Sequence, residues 1–220
     1  MKVTIDKRIK DICPAMQIGI VRAKVVNSCT DDRLWNELID AGEEIKSRYE
    51  LLEINNRPAI AKTRELYKRL GKDPNRYRVS SEALCRRIIR GMELYRINTL
   101  VDLINLISIK SGYAIGGFDA GKIEGDLNLG VGMNGEHFEA IGRGVLNIEG
   151  LPVYRDDIGG IGTPTSDEER TKITPETTFL HMNINAFAEE MPLQETVEWS
   201  IELLKKYAKA SEIEVVYNNS

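Results

Sequence analysis

The feature that most constrains this chain is a change of texture at Gly112. Before it, apolar residues recur at helical spacing over four segments. After it, glycine becomes frequent, segments shorten and β patterns dominate until about Phe187. A chain with segregated helical and β-rich halves must stack helices on a sheet, so the pattern predicts an α+β fold.

The helical half is readable in detail. Gln17–Val26 is β-branched and roughly alternating, and predicts one strand ahead of the helices. Asp31 and Asp32 open a run from Leu34 to Ile54, with acids at the end where the helix dipole favours them. Pro58 suits the first turn of a second helix ending at Gly71, and Asp73-Pro74 marks a turn. Ser80 or Ser81 caps a third helix through about Met92. Asn98 or Thr99 caps a fourth, with Leu100, Leu103, Ile104 and Ile107 on one face. A closing helix spans Gln194 to Ala210, and Ile213–Tyr217 predicts a last strand. No boundary is evident, so one domain over 1–220 is expected: a strand and helical part to residue 76, a core over 77–187, and a C-terminal helix and tail over 188–220.

Composition excludes several classes. With 42% hydrophobic and 29% charged residues, the chain is neither disordered nor collagenous. Its most apolar run, Leu100–Ile109, is broken by Asp102 and Asn105, too short and too polar to span a membrane. The N-terminal residues lack a signal-peptide core, and three cysteines without a CxxC pair fit reduced thiols, so a cytoplasmic location is expected. The net charge of −4 argues against indiscriminate nucleic-acid binding, but it is uneven. Between Lys62 and Arg96 eleven basic residues face four acids, a local +7. Between Phe118 and Arg170 eleven acids face four basic residues, a local −7. The first stretch reads either as a solvated surface or as a face that meets phosphates.

Several motifs are weaker than they look. Gly130–Gly135 matches GxGxxG, but no helix follows it, and Asn134-Gly135 predicts a hairpin turn between LNLGV and HFEAIG instead. His137 and His181 have no ligand-spaced partners, so no metal and no cofactor is expected. Cys85 lies in a basic helix yet lacks a nameable base, and is expected to be a half-buried helix residue. Of Asp156 and Asp157, adjacent on a strand, one is expected to be a solvated carboxylate. Two stretches remain, Gly112–Asp119 with its Gly116-Gly117 pair, and Asp156–Asp167 with Gly159, Gly160 and Gly162 followed by Thr163, Thr165 and Ser166. Such loops expose amides and short donors to a small polar ligand, or form tight turns that bond their own backbone. An open polar space between them would favour substrate. Filling by Phe118, Tyr113 or Tyr154 would favour structure.

In order, YRINTLVDLINLISIKSGYAIGGFD, GEHF, RDDIGGIG and the TxxTPETTFL segment resemble the B3/B4 domain, the editing domain of the bacterial phenylalanyl-tRNA synthetase β chain, in free-standing form. Asn98, Val101, Asp102, Asn105, Phe118 and Asp119 match that family's first element in order. Gly159–Gly162 echo its glycine loop, Thr171 and Thr177 its hydroxyl segment, and Asn185–Phe187 part of its closing element. The resemblance covers Tyr77–Phe187 and implies a mixed sheet or partly open barrel core. It further implies ester hydrolysis on a misacylated tRNA in trans, with no aminoacylation activity of its own.

By that resemblance the aminoacyl group would lie near Gly116, Gly117, Phe118, Gly159, Gly160, Thr163, Ser166, Arg170, Thr171 and Asn183. The tRNA acceptor end would dock transiently on Arg76, Arg78, Arg86, Arg87 and Arg90. Neither DNA nor a membrane is an expected partner. The family's catalytic histidine falls on Gly116 and its glutamate on about Asn183, which leaves Asp119 as the catalytic candidate, with Thr163, Ser166 or the substrate's ribose hydroxyl to orient water. The alternative is a non-catalytic module that binds an amino acid or an aminoacyl-adenosine-like ligand.

Overall fold

The computed structural model describes residues 1–219. In chain order its elements are β1 (Val3–Ile5), α1 (Lys7–Ile12), β2 (Gln17–Lys24), α2 (Asp32–Arg48), α3 (Pro58–Arg69), α4 (Ser80–Ile89) and α5 (Thr99–Ser111). The β-rich half follows as β3 (Ala114–Asp119), β4 (Leu127–Val131), β5 (Glu139–Ala140), β6 (Gly144–Val145), β7 (Pro152–Arg155), β8 (Gly160–Gly162) and β9 (Phe179–Ala186). Helix α6 (Leu193–Ala208) and β10 (Ser211–Asn219) close the chain. The fold is α+β.

Three layers stack. One sheet has the order β10-β2-β9-β3, antiparallel throughout. The second is β1-β4-β7-β8, mixed because β1 and β4 run parallel. Residues 18–23 of β2 are buried on both faces. Val21 and Ala23 join Met182 and Ile184 of β9 under α2, α5 and α6, whereas Ile18 and Ile20 pack with Phe118, Leu127, Leu129, Tyr154 and Ile161 between the sheets. The first sheet is therefore sandwiched, which explains why its strands show no clean polar alternation. No barrel closes among the described residues.

Three helix starts follow the sequence signals: Asp31 accepts the Leu34 N–H, Asn98 accepts the Val101 N–H, and Pro58 opens α3. Helix α4 does not: Ser80 and Ser81 lie inside the helix, which Val79 precedes without a side-chain cap. Helix α2 ends at Arg48 rather than Ile54, because Tyr49 turns extended and the Glu53 carboxylate takes the Glu50 N–H at 2.7 Å, which forms a turn in place of further helix. The expected LNLGV–HFEAIG hairpin does not form. A turn sits at Asn134-Gly135, but β4 pairs with β1 and β7, and Phe138 drops into a separate cluster with Tyr67, Val79, Ile148 and Val153. The reason for Gly132 in that motif is packing: a methyl there would collide with the Ile148 carbonyl oxygen. Helix α1 and strand β1 gave no sequence signal, since α1 buries only Ile9 and β1 is three residues long.

Candidate functional site

On the face of β3 that carries Gly116, the space between the two glycine-rich stretches is filled. A methyl on Gly116 would lie 2.8 Å from Phe118 Cζ, and one on Gly162 would lie 2.6 Å from the same atom. These glycines admit the Phe118 ring, which is fully buried. By the criterion set out from the sequence, that interface is structural. The opposite side of β3 is different.

There a cavity of about 380 Å³ lies between α5 and the β-rich half. Val101, Ile104, Asn105 and Ser108 of α5 form one wall, at the i, i+3, i+4, i+7 spacing of a single helix face. Ile115 and Gly117 of β3, Thr163, Ser166 and Asp167 of the hydroxyl-rich loop, and Ser80 and Leu84 of α4 form others. Ile97, Ile141, Lys172 and Ile173 complete it. The size is that of one small ligand, and apolar walls with a few convergent polar groups are what such sites need.

Asp167 is the chemical centre of this cavity. Its Oδ2 accepts the Gly117 N–H at 3.3 Å, and its Oδ1 lies 2.7 Å from where a Gly162 methyl would stand. Among the described residues no cation pairs with it. Burial of the carboxyl pushes its pKa up to about 7, with the Gly117 hydrogen bond opposing only in part. The residue as a whole is half-buried and borders the cavity. The loop that presents it is self-braced: the Thr163 hydroxyl oxygen accepts the Thr165 and Ser166 N–H groups at 3.1 and 3.0 Å. The Thr165 hydroxyl meets Tyr67 at 2.9 Å, and Pro164 accepts the Ser80 N–H. On α5 the side chains of Asn105 and Ser108 make no hydrogen bond within the described residues, which leaves them available to a ligand.

Of the residues singled out from the sequence, Gly117, Thr163 and Ser166 line the cavity. Gly116 and Phe118 are engaged in the packing just described. Asp119 lies elsewhere: its Oδ1 accepts the Gly121 N–H and its Oδ2 accepts the Thr177 hydroxyl at 2.9 Å, so it fixes a turn. Gly159 and Gly160 form the β7–β8 turn, where the buried Asp156 carboxylate takes the Ile158 and Gly159 N–H groups. Arg170 holds Asp156 through two bonds of 3.0 and 2.8 Å, which keep that carboxyl below the usual range against its burial. Asp157 is the exposed member of the pair. Thr171 is fully buried, with an unpartnered hydroxyl.

Asn183 is fully buried in the layer between the sheets, opposite Gly116. Its neighbour His181 accepts from the Arg22 Nε at 3.1 Å through Nδ1, so Nε2 carries the proton donated to Asn183 Oδ1 at 2.8 Å. Burial and the Arg22 charge push this histidine down to about 3, so it is neutral. The Asn183 amide nitrogen has no partner.

The arginines divide between faces. Arg78 and Arg86 flank the buried Glu82, at 3.7 and 3.9 Å, together with Arg64 at 2.8 Å. At ~100° per residue, Glu82 and Arg86 lie nearly opposite Leu84 and the cavity. Arg76 and Arg90 are exposed. Arg87, three residues beyond the cavity-lining Leu84 on α4, stacks on Tyr95 at 4.3 Å. Cys85 is fully rather than half buried, and burial pushes its thiol up to about 11 despite the Arg57 guanidinium 3.3 Å away. Among the described residues no group of three or more His, Cys, Asp or Glu is placed to hold a metal, and no helix is long and apolar enough to cross a membrane.

The sequence profile of the B3/4 domain matches residues 62–202. The chain belongs to the B3/4 domain family. Among solved structures it is similar to an N-terminal fragment of the phenylalanyl-tRNA synthetase β subunit from Pyrococcus horikoshii, with a TM-score of 0.47 and 14% identity over 100% of this chain and 54% of that one. The chain thus spans about half the length of that fragment. No curated protein matches it significantly. The matched segment takes in α4, α5, β3 and the 163–173 segment, so every wall of the cavity lies within the B3/4 domain. Asp167, Asn105, Ser108, Ser80 and Lys172 were not singled out as site residues from the sequence. A legible signal existed for two of them, because Asn105 and Ser108 interrupt an otherwise apolar helix face.

Proposed function

We propose that this B3/4 domain hydrolyses the ester of a misacylated tRNA, with the aminoacyl group held in the cavity between α5 and β3. The observation that carries this reading is Asp167, a carboxyl whose pKa lies near 7 on the wall of an amino-acid-sized cavity. A general base works best when its pKa is close to the operating pH. The ionised carboxylate takes a proton from water as the oxygen attacks the ester carbonyl. The carbon–oxygen bond to the ribose then breaks, and the protonated Asp167 returns the proton to the departing ribose oxygen.

The roles first assigned to Asp119 and Asn183 pass to groups on the cavity wall. Leu84, Ile97, Ile104, Ile115 and Ile173 would pack on the apolar part of the acyl group, and Asn105 and Ser108 would meet its polar atoms. The test is single-turnover deacylation of tRNAs charged with different amino acids, by the wild-type protein and by Asp167→Asn. Turnover above the uncatalysed rate on at least one of them, lost in Asp167→Asn, is expected. A second reading, ligand binding without hydrolysis, draws support from Gly116 and Asn183, which stand where the family resemblance places histidine and glutamate. It predicts thermal stabilisation by an amino acid or an aminoacyl-adenosine analogue and no turnover.

A further inference from the structure

The segment that contributes Ile97 to the cavity wall carries a feature that hydrolysis does not use. Residues 92–98 have no regular secondary structure, yet expose Met92 at 47%, Tyr95 at 68% and Ile97 at 55%. Single exposed apolar residues need no explanation. An exposed tyrosine ring held by an arginine, two residues from a lining residue of a ligand-sized cavity, does.

The segment is pinned along its length. Arg87 Nε donates to the Glu93 carbonyl at 2.6 Å while its guanidinium lies over the Tyr95 ring. Arg96 donates to the Thr30 carbonyl and to Asp32, and its guanidinium lies 5.5 Å from the Trp35 ring. The Ile97 N–H donates to both oxygens of the buried Asp102 at 3.2 Å. The ring is therefore pre-organised, which lowers the ordering cost of anything that stacks on it.

Its position matters as much. Ile97 and Leu84 both line the cavity. Tyr95 is two residues from Ile97, at most about 7 Å of extended chain. Arg87 is three residues beyond Leu84, a neighbour on the surface of α4. Each member of the pair is thus within about 7 Å, along the chain or the helix surface, of a residue that lines the cavity. From Arg87 to Arg96 three arginines face one acid, Glu93, and with Arg96 paired to Asp32 one positive charge remains in excess, which favours an anionic partner. An aromatic ring beside guanidinium groups is how unpaired bases are held without sequence-specific hydrogen bonds.

We infer that Tyr95 and Arg87 form a stacking platform for the terminal base of a single-stranded RNA end whose ester enters the cavity. The inference rests on the proposed function for its choice of RNA over a protein surface. It is tested without hydrolysis. The probes are an uncharged acceptor-stem RNA ending in CCA and the same RNA with an abasic last nucleotide, bound to wild type, Tyr95→Ala and Tyr95→Phe and read by fluorescence anisotropy.

Tyr95→Ala is expected to weaken binding of the CCA-ended RNA by about 5- to 100-fold, and Tyr95→Phe to retain it. Removing the base should weaken wild type by a similar factor and leave Tyr95→Ala unchanged. Tyr95 is exposed, so the alanine variant should fold normally, which circular dichroism checks. The platform is overturned if wild type binds both RNAs equally, binds neither, or if Tyr95→Ala loses as much on base removal as wild type does. Base-dependent binding without deacylation would instead contradict hydrolysis and leave the platform standing.

Discussion

Replacing Asp167 by asparagine keeps the shape and the acceptor for the Gly117 N–H but removes the charge. In the folded protein this carboxyl has its pKa raised from an aspartate's 3.8 to about 7. A group with a raised folded pKa contributes full stability below its unfolded value and loses it as the pH rises through the folded value. The window therefore runs from about pH 4 to about pH 7. Each factor of ten in proton affinity is about 1.4 kcal/mol, so ionising Asp167 in place destabilises the fold by about 4 kcal/mol, or nearer 3 where solvent in the cavity screens the charge. Asparagine pays no such penalty. Urea unfolding of the two proteins between pH 4 and pH 8.5 should give near-equal stabilities at the acid end. The variant should then gain a growing advantage that levels off above pH 7 at about 3 to 4 kcal/mol. Every other titrating group cancels in the difference. A difference that stays flat over this range would refute the reasoning, because Asp167 would then titrate as an exposed carboxyl.

Three further outcomes follow from the packing. Gly117→Ala places a methyl against Ile104 Cδ1 and 3.2 Å from Ile173 Cδ1, both flexible side-chain ends on the cavity wall. It should cost only about 1 kcal/mol in a denaturant titration while lowering ligand-induced thermal stabilisation at least tenfold in apparent affinity. Gly132→Ala meets the Ile148 carbonyl oxygen, which cannot yield in the same way, and should cost about 3 kcal/mol or more by the same titration, far from the cavity. Glu190→Ala removes the partner of Arg57 at 2.7 Å, and the guanidinium side chain is only 1% exposed. Leaving that charge buried should lower the unfolding free energy by about 3 kcal/mol, whereas Lys46→Ala, which breaks an exposed pair with Glu43, should change it by less than about 0.5 kcal/mol.

The helical half was legible because its signals are local. Asp31, Pro58 and Asn98 each satisfy or tolerate an unpaired helix N-terminus, and such residues act in one place only. The β-rich half was legible in kind but not in pairing, because pairing depends on long-range packing. The Asn134-Gly135 turn formed, yet burial of Phe138 outweighed the hairpin it suggested. The glycine-rich stretches serve two ends: Gly116 and Gly162 admit Phe118, while Gly117 borders the cavity on the other face of the same strand. Asp167 closed one of those stretches in the sequence, but nothing local reveals that a carboxyl will be enclosed without a cation. Asp119, the catalytic candidate from the sequence, accepts from Gly121 and Thr177 and holds a turn. Likewise, the local +7 is divided by helix geometry, with Arg78 and Arg86 on Glu82 and Arg87 on Tyr95.

The central claim is that Asp167 acts as a base on an ester held in this cavity. The most direct test is the pH dependence of single-turnover deacylation of a misacylated tRNA, with the uncatalysed rate subtracted at each pH. The expected rate rises with one proton's slope to a plateau, with its midpoint near pH 7 and matching the midpoint of the stability difference between wild type and Asp167→Asn. A rate that does not exceed the background at any pH, or one that survives unchanged in Asp167→Asn, would contradict it.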